Sequence, residues 1–197
     1  ERRVLVVLGL GIFLAVFQQW CGINVIFNYA SEIFGQAGFN LNDALTNIVA
    51  TGVVNLVFVF VALFSVDRLG RKPLMLFGAA GLAVIYVAIG SCYHLKAAGT
   101  LVPPILFRGL VLAAIGTYSM SLAPVTWVLI SEIFPNKIRG QAVAVAVMAQ
   151  WAANYLISST YPVMMELSGA LTYGFYGAMS LLSFIFVWRM VPETKGK

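Results

Sequence analysis

Long apolar blocks alternate with short polar breaks along this chain. The breaks are rich in charged residues, glycine and proline, and they leave six blocks, at about 3–34, 43–66, 72–94, 104–131, 138–162 and 167–191. Each block has about 20 or more residues, the length that an α-helix needs to cross a hydrocarbon core of about 30 Å, whereas a strand of a membrane barrel has about 10. The pattern therefore predicts an all-α, polytopic membrane protein with six transmembrane helices.

Composition agrees with a membrane protein, because 61% of the 197 residues are hydrophobic and only 10% are charged. Soluble domains have roughly 25% charged residues. The first block has no small-residue cleavage site, so we do not interpret it as a signal peptide. Cys21 and Cys92 lie inside apolar blocks without the spacing of a metal site or a disulfide, and we predict neither a metal nor a cofactor.

The distribution of basic residues predicts the orientation. An even number of helices places both termini on one side, together with the loops after the second and fourth blocks. That side carries ten Lys and Arg residues, and the other side carries two, Lys96 and Arg108. The positive-inside rule makes the basic side cytoplasmic and explains a net charge of +5 without nucleic acid.

The first block is too long for one straight crossing. Its residues 4–34 would form a helix of roughly 46 Å. On an ideal helix, Gln18 and Gln19 point about 120° and 140° away from Asn24. A local break at Gly22 would bring these amides together, and irregular backbone at membrane depth is tolerated where it lines protein or a water-filled cavity. We predict such a cavity here.

Polar side chains follow one face of two further blocks at a spacing of four residues. They are Asn47, Thr51 and Asn55 in the second block, and Gln150, Asn154 and Ser158 in the fifth, with Trp151 and Tyr155 alongside. One interpretation is that they join helices, at roughly 0.6 kcal/mol each. The other is a binding site for a polyol, because amides offer a donor and an acceptor side by side and Trp127 or Trp151 could cover a sugar ring.

Charged residues lie at the predicted cytoplasmic ends of the blocks. These residues are Asp67, Arg68, Arg71, Glu132 and Arg139. Carboxylate and guanidinium groups at helix ends can pair and then separate when the helices move. The alternative is a set of solvated loop charges that only fix the topology.

Several motifs occur in a fixed order along the chain. They are Gln18-Gln19-x-x-Gly22-Ile23-Asn24, Asp67-Arg68-x-Gly70-Arg71-Lys72, Pro124-x-x-Trp127, Ser131-Glu132-Ile133-Phe134-Pro135, Arg139-Gly140, Gln150-Trp151 and Pro192-Glu193-Thr194-Lys195-Gly196. With this ordered set, the chain resembles the C-terminal six-helix half of a sugar porter of the major facilitator superfamily. Within that family it is most similar to the bacterial D-xylose–proton symporters.

The resemblance implies a role for three groups of residues. Sugar hydroxyls and the sugar ring would be bound by Gln18, Gln19, Asn24, Asn55, Trp127, Gln150 and Trp151. A cytoplasmic charge network that stabilises the outward-open state would include Asp67, Arg68, Arg71, Glu132 and Arg139. The outer gate would contain Phe27, Asn28 and Tyr29.

Two positions depart from the family pattern and affect the expected pocket. The family commonly has a tyrosine pair where this chain has Asn28-Tyr29, and Gly-Pro where it has Ala123-Pro124. An amide in place of a phenol, and an added methyl group, would reshape the pocket. These differences bear on which sugar fits.

The expected function is therefore proton-coupled transport of a monosaccharide such as D-xylose by alternating access, in the inner membrane of a bacterium. A proton-independent facilitator and a membrane sugar sensor are the alternatives. An enzyme is not expected, because the single histidine and the scattered carboxylates supply no catalytic group. The N-terminal half is absent from this sequence, and the proton-binding carboxylate is expected there, because no Asp, Glu or His lies at mid-membrane depth.

Overall fold

The structure is a computed structural model that describes residues 2–191. These residues form nine helices without a strand: α1 (Arg2–Trp20), α2 (Ile23–Asn28), α3 (Ala30–Gln36), α4 (Leu41–Leu69), α5 (Arg71–Ala97), α6 (Pro104–Met120), α7 (Leu122–Ile133), α8 (Arg139–Leu167) and α9 (Gly169–Met190). The motif at 192–196, together with Lys197, lies outside the described residues.

Six segments of the described chain are long and apolar enough to cross a membrane, as predicted. They are Val4–Asn28, Leu41–Leu69, Arg71–Ala97, Pro104–Ile133, Arg139–Leu167 and Gly169–Met190. Two of these spans are interrupted, since the first contains α1 and α2 and the fourth contains α6 and α7. The protein is therefore an all-α, multi-pass membrane protein.

The predicted break at Gly22 is confirmed. Helix α1 ends at Trp20, and Gly22 adopts a left-handed conformation with φ 75° before α2 begins at Ile23. Glycine reaches this region at little cost, because it has no Cβ atom. The ring of Tyr176 on α9 occupies the space beside Gly22, where an added Cβ would lie 2.7 Å from the tyrosine Cγ atom. The break is thus fixed both by local conformation and by packing.

A second break, at Ser121, was not predicted. Ser121 separates α6 from α7 with φ −121° and ψ −78°. Pro124 follows three residues later, and a proline ring clashes with the carbonyl group of the residue four positions before it, which here is Met120. The apolar pattern of residues 104–131 predicts one continuous span, and Pro124 is the local signal that indicates a break in it.

The span formed by α6 and α7 is the most buried, and the most extensive helix pair is α5 with α9. Their backbones approach closely at Gly90, where an added Cβ would lie 3.2 Å from the carbonyl oxygen of Ala170. Helix α1 packs against α7, α8 and α9, and α4 packs chiefly against α6. Helices α4 and α8 are the least buried spans, so each presents a wide face that no described residue covers.

Replacing Gly22 by alanine should destabilise the protein. A left-handed conformation costs a non-glycine residue roughly 1–2 kcal/mol, and the overlap with Tyr176 adds roughly 1–3 kcal/mol. The thermal unfolding midpoint of the full-length protein in detergent should therefore fall. Gly35→Ala is the control, because Gly35 has no positive φ and an added Cβ there meets nothing within 4 Å. Equal midpoints for the two variants would contradict this assignment.

Candidate functional site

Gln18 and Gln19 lie in the last turn of α1, directly before the break, and both are buried. The Gln18 amide nitrogen donates to the carbonyl oxygens of Leu122 and Ala123, at 3.3 and 3.4 Å. These carbonyl groups belong to the first turn of α7, next to the second break. Gln18 therefore ties the two interrupted spans to each other. Its own oxygen accepts a hydrogen bond from the Gln150 amide nitrogen on α8, at 3.4 Å.

Asn24, on the short helix α2, connects α1 to α8. Its amide nitrogen donates to the side-chain oxygen of Gln19 and, at 3.3 Å, to that of Asn154. The Ser158 hydroxyl, one turn further along α8, donates to the same Asn154 oxygen at 3.4 Å. A chain of hydrogen bonds between amides and hydroxyls thus runs from the end of α1 through α2 and along α8.

Several polar atoms of this chain remain available to a ligand. Three side-chain atoms form no hydrogen bond with any described residue: the Gln19 nitrogen, the Asn24 oxygen and the Gln150 oxygen. None of the three is fully buried. They are therefore accessible. One donor and two acceptors at the helix break suit a ligand rich in hydroxyl groups, because each hydroxyl can both donate and accept.

Asn55 is not hydrogen-bonded to this chain of amides. It lies on α4, where its oxygen accepts a hydrogen bond from the buried Ser119 hydroxyl of α6 at 2.6 Å. This contact joins two helices, which is the simpler of the two interpretations of the polar face. The Asn55 nitrogen forms no bond with a described residue and is accessible, so a binding role for Asn55 stays a prediction that depends on this one atom.

The two candidate tryptophans differ in their surroundings. Trp127 is half-buried and packs against a small apolar cluster that includes Ala15, Phe134 and Ala146. Trp151 is 65% exposed, although it directly follows Gln150. Its ring lies on the face of α8 that no described residue covers. A stacking role for either ring stays a prediction.

The three predicted gate residues occupy the end of α2. Phe27 and Asn28 are exposed, and Tyr29 is half-buried. The Asn28 nitrogen donates to the Ser158 hydroxyl at 3.4 Å, and the Tyr29 hydroxyl donates to the Ser158 carbonyl oxygen at 2.9 Å. Ser158 therefore holds the end of α2 against α8.

Asn154 and Ser158 are central to this arrangement. Their spacing after Gln150, at i+4 and i+8 on one face of α8, indicated either a contact between helices or a binding site. The resemblance emphasised Gln150 and Trp151 instead. Only the position of α2 in the fold shows that Asn24 and Asn28 meet these two residues.

The predicted charge network lies at helix ends away from the amides. Arg71, at the start of α5, forms a salt bridge with Glu132 of α7 at 3.0 Å and a longer one with Asp67 at 3.5 Å. Arg139 donates to the carbonyl oxygen of Phe134 at 3.4 Å, and Arg68 is exposed. The Arg71–Glu132 pair joins separate spans, and the gating role of all five residues stays a prediction.

Comparison with known proteins gives one consistent family. The family described as "Sugar (and other) transporter" matches residues 1–197. The D-xylose-proton symporter of Escherichia coli K12 is 42% identical over 97% of this chain and 39% of the relative. The glucose facilitated diffusion protein of Zymomonas mobilis is 39% identical over 95% of this chain and 40% of the relative. The arabinose-proton symporter of Bacillus subtilis is 36% identical over all of this chain and 41% of the relative.

Solved structures agree in fold. A double tryptophan variant of XylE matches with a TM-score of 0.90 and 41% identity, over 98% of this chain and 41% of that chain. An inward-open structure of the xylose transporter XylE from E. coli matches with a TM-score of 0.85 and 41% identity, over 98% of this chain and 40% of that chain. The chain thus spans about two-fifths of the length of these proteins. The chain belongs to the sugar transporter family, and its helices have the fold of part of a major facilitator superfamily transporter.

Proposed function

We propose that this chain is the C-terminal half of a transporter that moves a monosaccharide across a bacterial inner membrane by alternating access. The observation that carries the proposal is the chain of amides at the Gly22 break, where Gln19, Asn24 and Gln150 each keep an accessible polar atom. Relatives named as transporters of xylose, glucose and arabinose support a sugar as the ligand.

The amides would recognise the sugar through its hydroxyl groups. Gln18 fixes the geometry, because its nitrogen and its oxygen are both engaged within the protein. Gln19 would donate to a sugar hydroxyl, while Asn24 and Gln150 would accept from others. The Asn55 nitrogen would contribute from α4, and Trp127 and Trp151 would cover the apolar face of the ring.

The remaining walls of the binding site would come from the N-terminal half. The chain covers 39% of the length of the E. coli symporter, and α4 and α8 present uncovered faces. Docking of the missing half onto these faces would enclose Trp151 beside the amides, and the other exposed apolar surfaces would contact lipid.

Proton coupling would depend on the missing half. Every Asp, Glu and His of this chain lies near the end of a span or beyond it. We propose proton symport, with the proton-binding carboxylate in the N-terminal half. Facilitated diffusion is the second candidate, because one relative is named as a glucose facilitated diffusion protein.

Conformational change would involve both ends of this half. At the outer side, α2 would move about the Gly22 break and exchange its hydrogen bonds to Ser158. At the cytoplasmic side, which also holds both termini of this chain, the Arg71–Glu132 pair would stabilise the outward-open state. Asp67, Arg68 and Arg139 would extend this network.

Replacing Asn24 by alanine in the full-length protein should weaken sugar binding. The variant loses an acceptor for the ligand and leaves the Gln19 oxygen without its donor, at a cost of roughly 1–3 kcal/mol in affinity, whereas the Asn154 oxygen keeps its hydrogen bond from Ser158. Asn42→Ala is the matched control, because Asn42 is exposed at the start of α4. Isothermal titration with a transported sugar measures both variants. Unchanged affinity in Asn24→Ala would assign this amide a structural role.

Replacing Glu132 by glutamine should shift the transporter towards inward-open states. Loss of one charge-assisted contact at 3.0 Å should change the free-energy difference between the inward-open and outward-open states by about 1 kcal/mol. Their population ratio then changes about five-fold. Labelling of single cysteines placed at each end of the cavity measures that ratio. Asp67→Asn is the control, because Asp67 is 80% exposed and pairs with Arg71 at the longer distance of 3.5 Å. No shift in Glu132→Gln would contradict the gating role, and equal shifts in the two variants would contradict a larger contribution from the Arg71–Glu132 pair than from Asp67.

Uptake into proteoliposomes tests transport itself. Vesicles that contain the full-length protein should accumulate a labelled pentose or hexose, and an imposed inward proton gradient should increase accumulation if transport is coupled. Stimulation by the gradient would support symport, whereas gradient-independent equilibration would support facilitated diffusion. If no tested pentose or hexose enters these vesicles faster than it enters protein-free vesicles, the proposal is wrong.

A further inference from the structure

Four buried tyrosine hydroxyls have no hydrogen-bond partner among the described residues. They belong to Tyr86 on α5, Tyr161 on α8, and Tyr173 and Tyr176 on α9. Each of these side chains is at most 2% exposed. Buried polar atoms in proteins are nearly always paired with a protein group or an ordered water molecule, so four such hydroxyls in one region require an explanation.

The four tyrosines form one cluster, which we call the tyrosine cluster. The ring centroids of Tyr86 and Tyr173 are 6.1 Å apart, those of Tyr173 and Tyr176 are 6.0 Å apart, and those of Tyr86 and Tyr176 are 6.1 Å apart. The Tyr161 hydroxyl lies near that of Tyr173, although the two do not form a hydrogen bond of ordinary geometry. The four tyrosines therefore occupy one region of the core and not scattered sites.

The tyrosine cluster contacts both ends of the short helix α2. At the start of α2, the ring of Tyr176 packs against Gly22. At its end, the ring of Tyr29 lies against that of Tyr161, with centroids 4.8 Å apart. The cluster thus packs beside the helix break that positions Asn24.

Tyr93 lies between the tyrosine cluster and an open surface cavity. The Tyr93 ring stacks on Tyr173 with centroids 5.4 Å apart and an interplanar angle of 11°. Tyr93 also lines an open surface cavity of about 490 Å³ together with Gln36 and Lys96. Its hydroxyl donates to the Gln36 side-chain oxygen at 3.3 Å. A single aromatic ring therefore contacts both the cluster and the surface cavity.

We propose that the tyrosine cluster is an internal water site, in which ordered water molecules bridge the hydroxyls of Tyr86, Tyr161, Tyr173 and Tyr176. Water complements these groups, because a phenol hydroxyl both donates and accepts, and a buried water molecule usually forms about three hydrogen bonds. The site is separate from the amides proposed to bind sugar, and it does not depend on transport.

X-ray hydroxyl-radical footprinting of the full-length protein in lipid nanodiscs tests the site directly. Radiolysis of bound water produces radicals in place, so a buried aromatic ring is labelled when ordered water lies beside it. After correction for the intrinsic reactivity of each side chain with hydroxyl radical, Tyr161, Tyr173 and Tyr176 should be labelled faster than Phe34 and Phe134, which are equally buried. Equal corrected rates for the three tyrosines and these phenylalanines would overturn the proposal.

Replacing Tyr173 by phenylalanine gives a second test. If water bridges the hydroxyls, the substitution should slow the labelling of Tyr161 and Tyr176 and lower the thermal unfolding midpoint. If the hydroxyl has no partner, its removal should raise the midpoint, because the desolvation cost of a buried unpaired group is removed. A raised midpoint would overturn the proposal. Tyr155→Phe, at an exposed position outside the cluster, controls for loss of a phenol hydroxyl elsewhere.

Discussion

The left-handed conformation of Gly22 is the constraint on which the site depends. It ends α1 directly after Gln18 and Gln19, and it starts α2 so that Asn24 meets Gln19. A continuous helix would turn these side chains away from one another. The packing of Tyr176 against Gly22 leaves no room for a side chain there. One residue without a Cβ atom therefore determines whether the amides converge.

An interrupted helix in a membrane exposes backbone polar groups that lipid cannot satisfy. This protein places its two breaks close together and links them with a side chain, since Gln18 at the end of α1 donates to carbonyl groups at the start of α7. Gln18 thus joins the two interrupted spans and also accepts a hydrogen bond from Gln150 of the amide chain. The two interpretations of these amides, a contact between helices and a binding site, are therefore compatible.

Burial is unevenly distributed among the helices. Helices α5, α6, α7 and α9 form the core, whereas α4 and α8 leave wide faces uncovered. The site lies at the border of the uncovered region, because Gln150 and Asn154 are half-buried and the adjacent Trp151 is exposed. The proposed binding site would therefore need further helices to close it, and the E. coli relative is more than twice as long as this chain.

The sequence by itself determined the fold class, the six spans and the break at Gly22, because span length and a glycine among helix-spaced amides are local signals. It also identified Gln18, Gln19, Asn24 and Gln150, largely through family motifs. Tertiary structure alone decided which polar atoms stay accessible, that Asn154 and Ser158 anchor α2, and that Asn55 pairs with Ser119. Contacts between residues over 60 positions apart depend on how the helices pack, and the periodicity of a single helix carries no information about that packing.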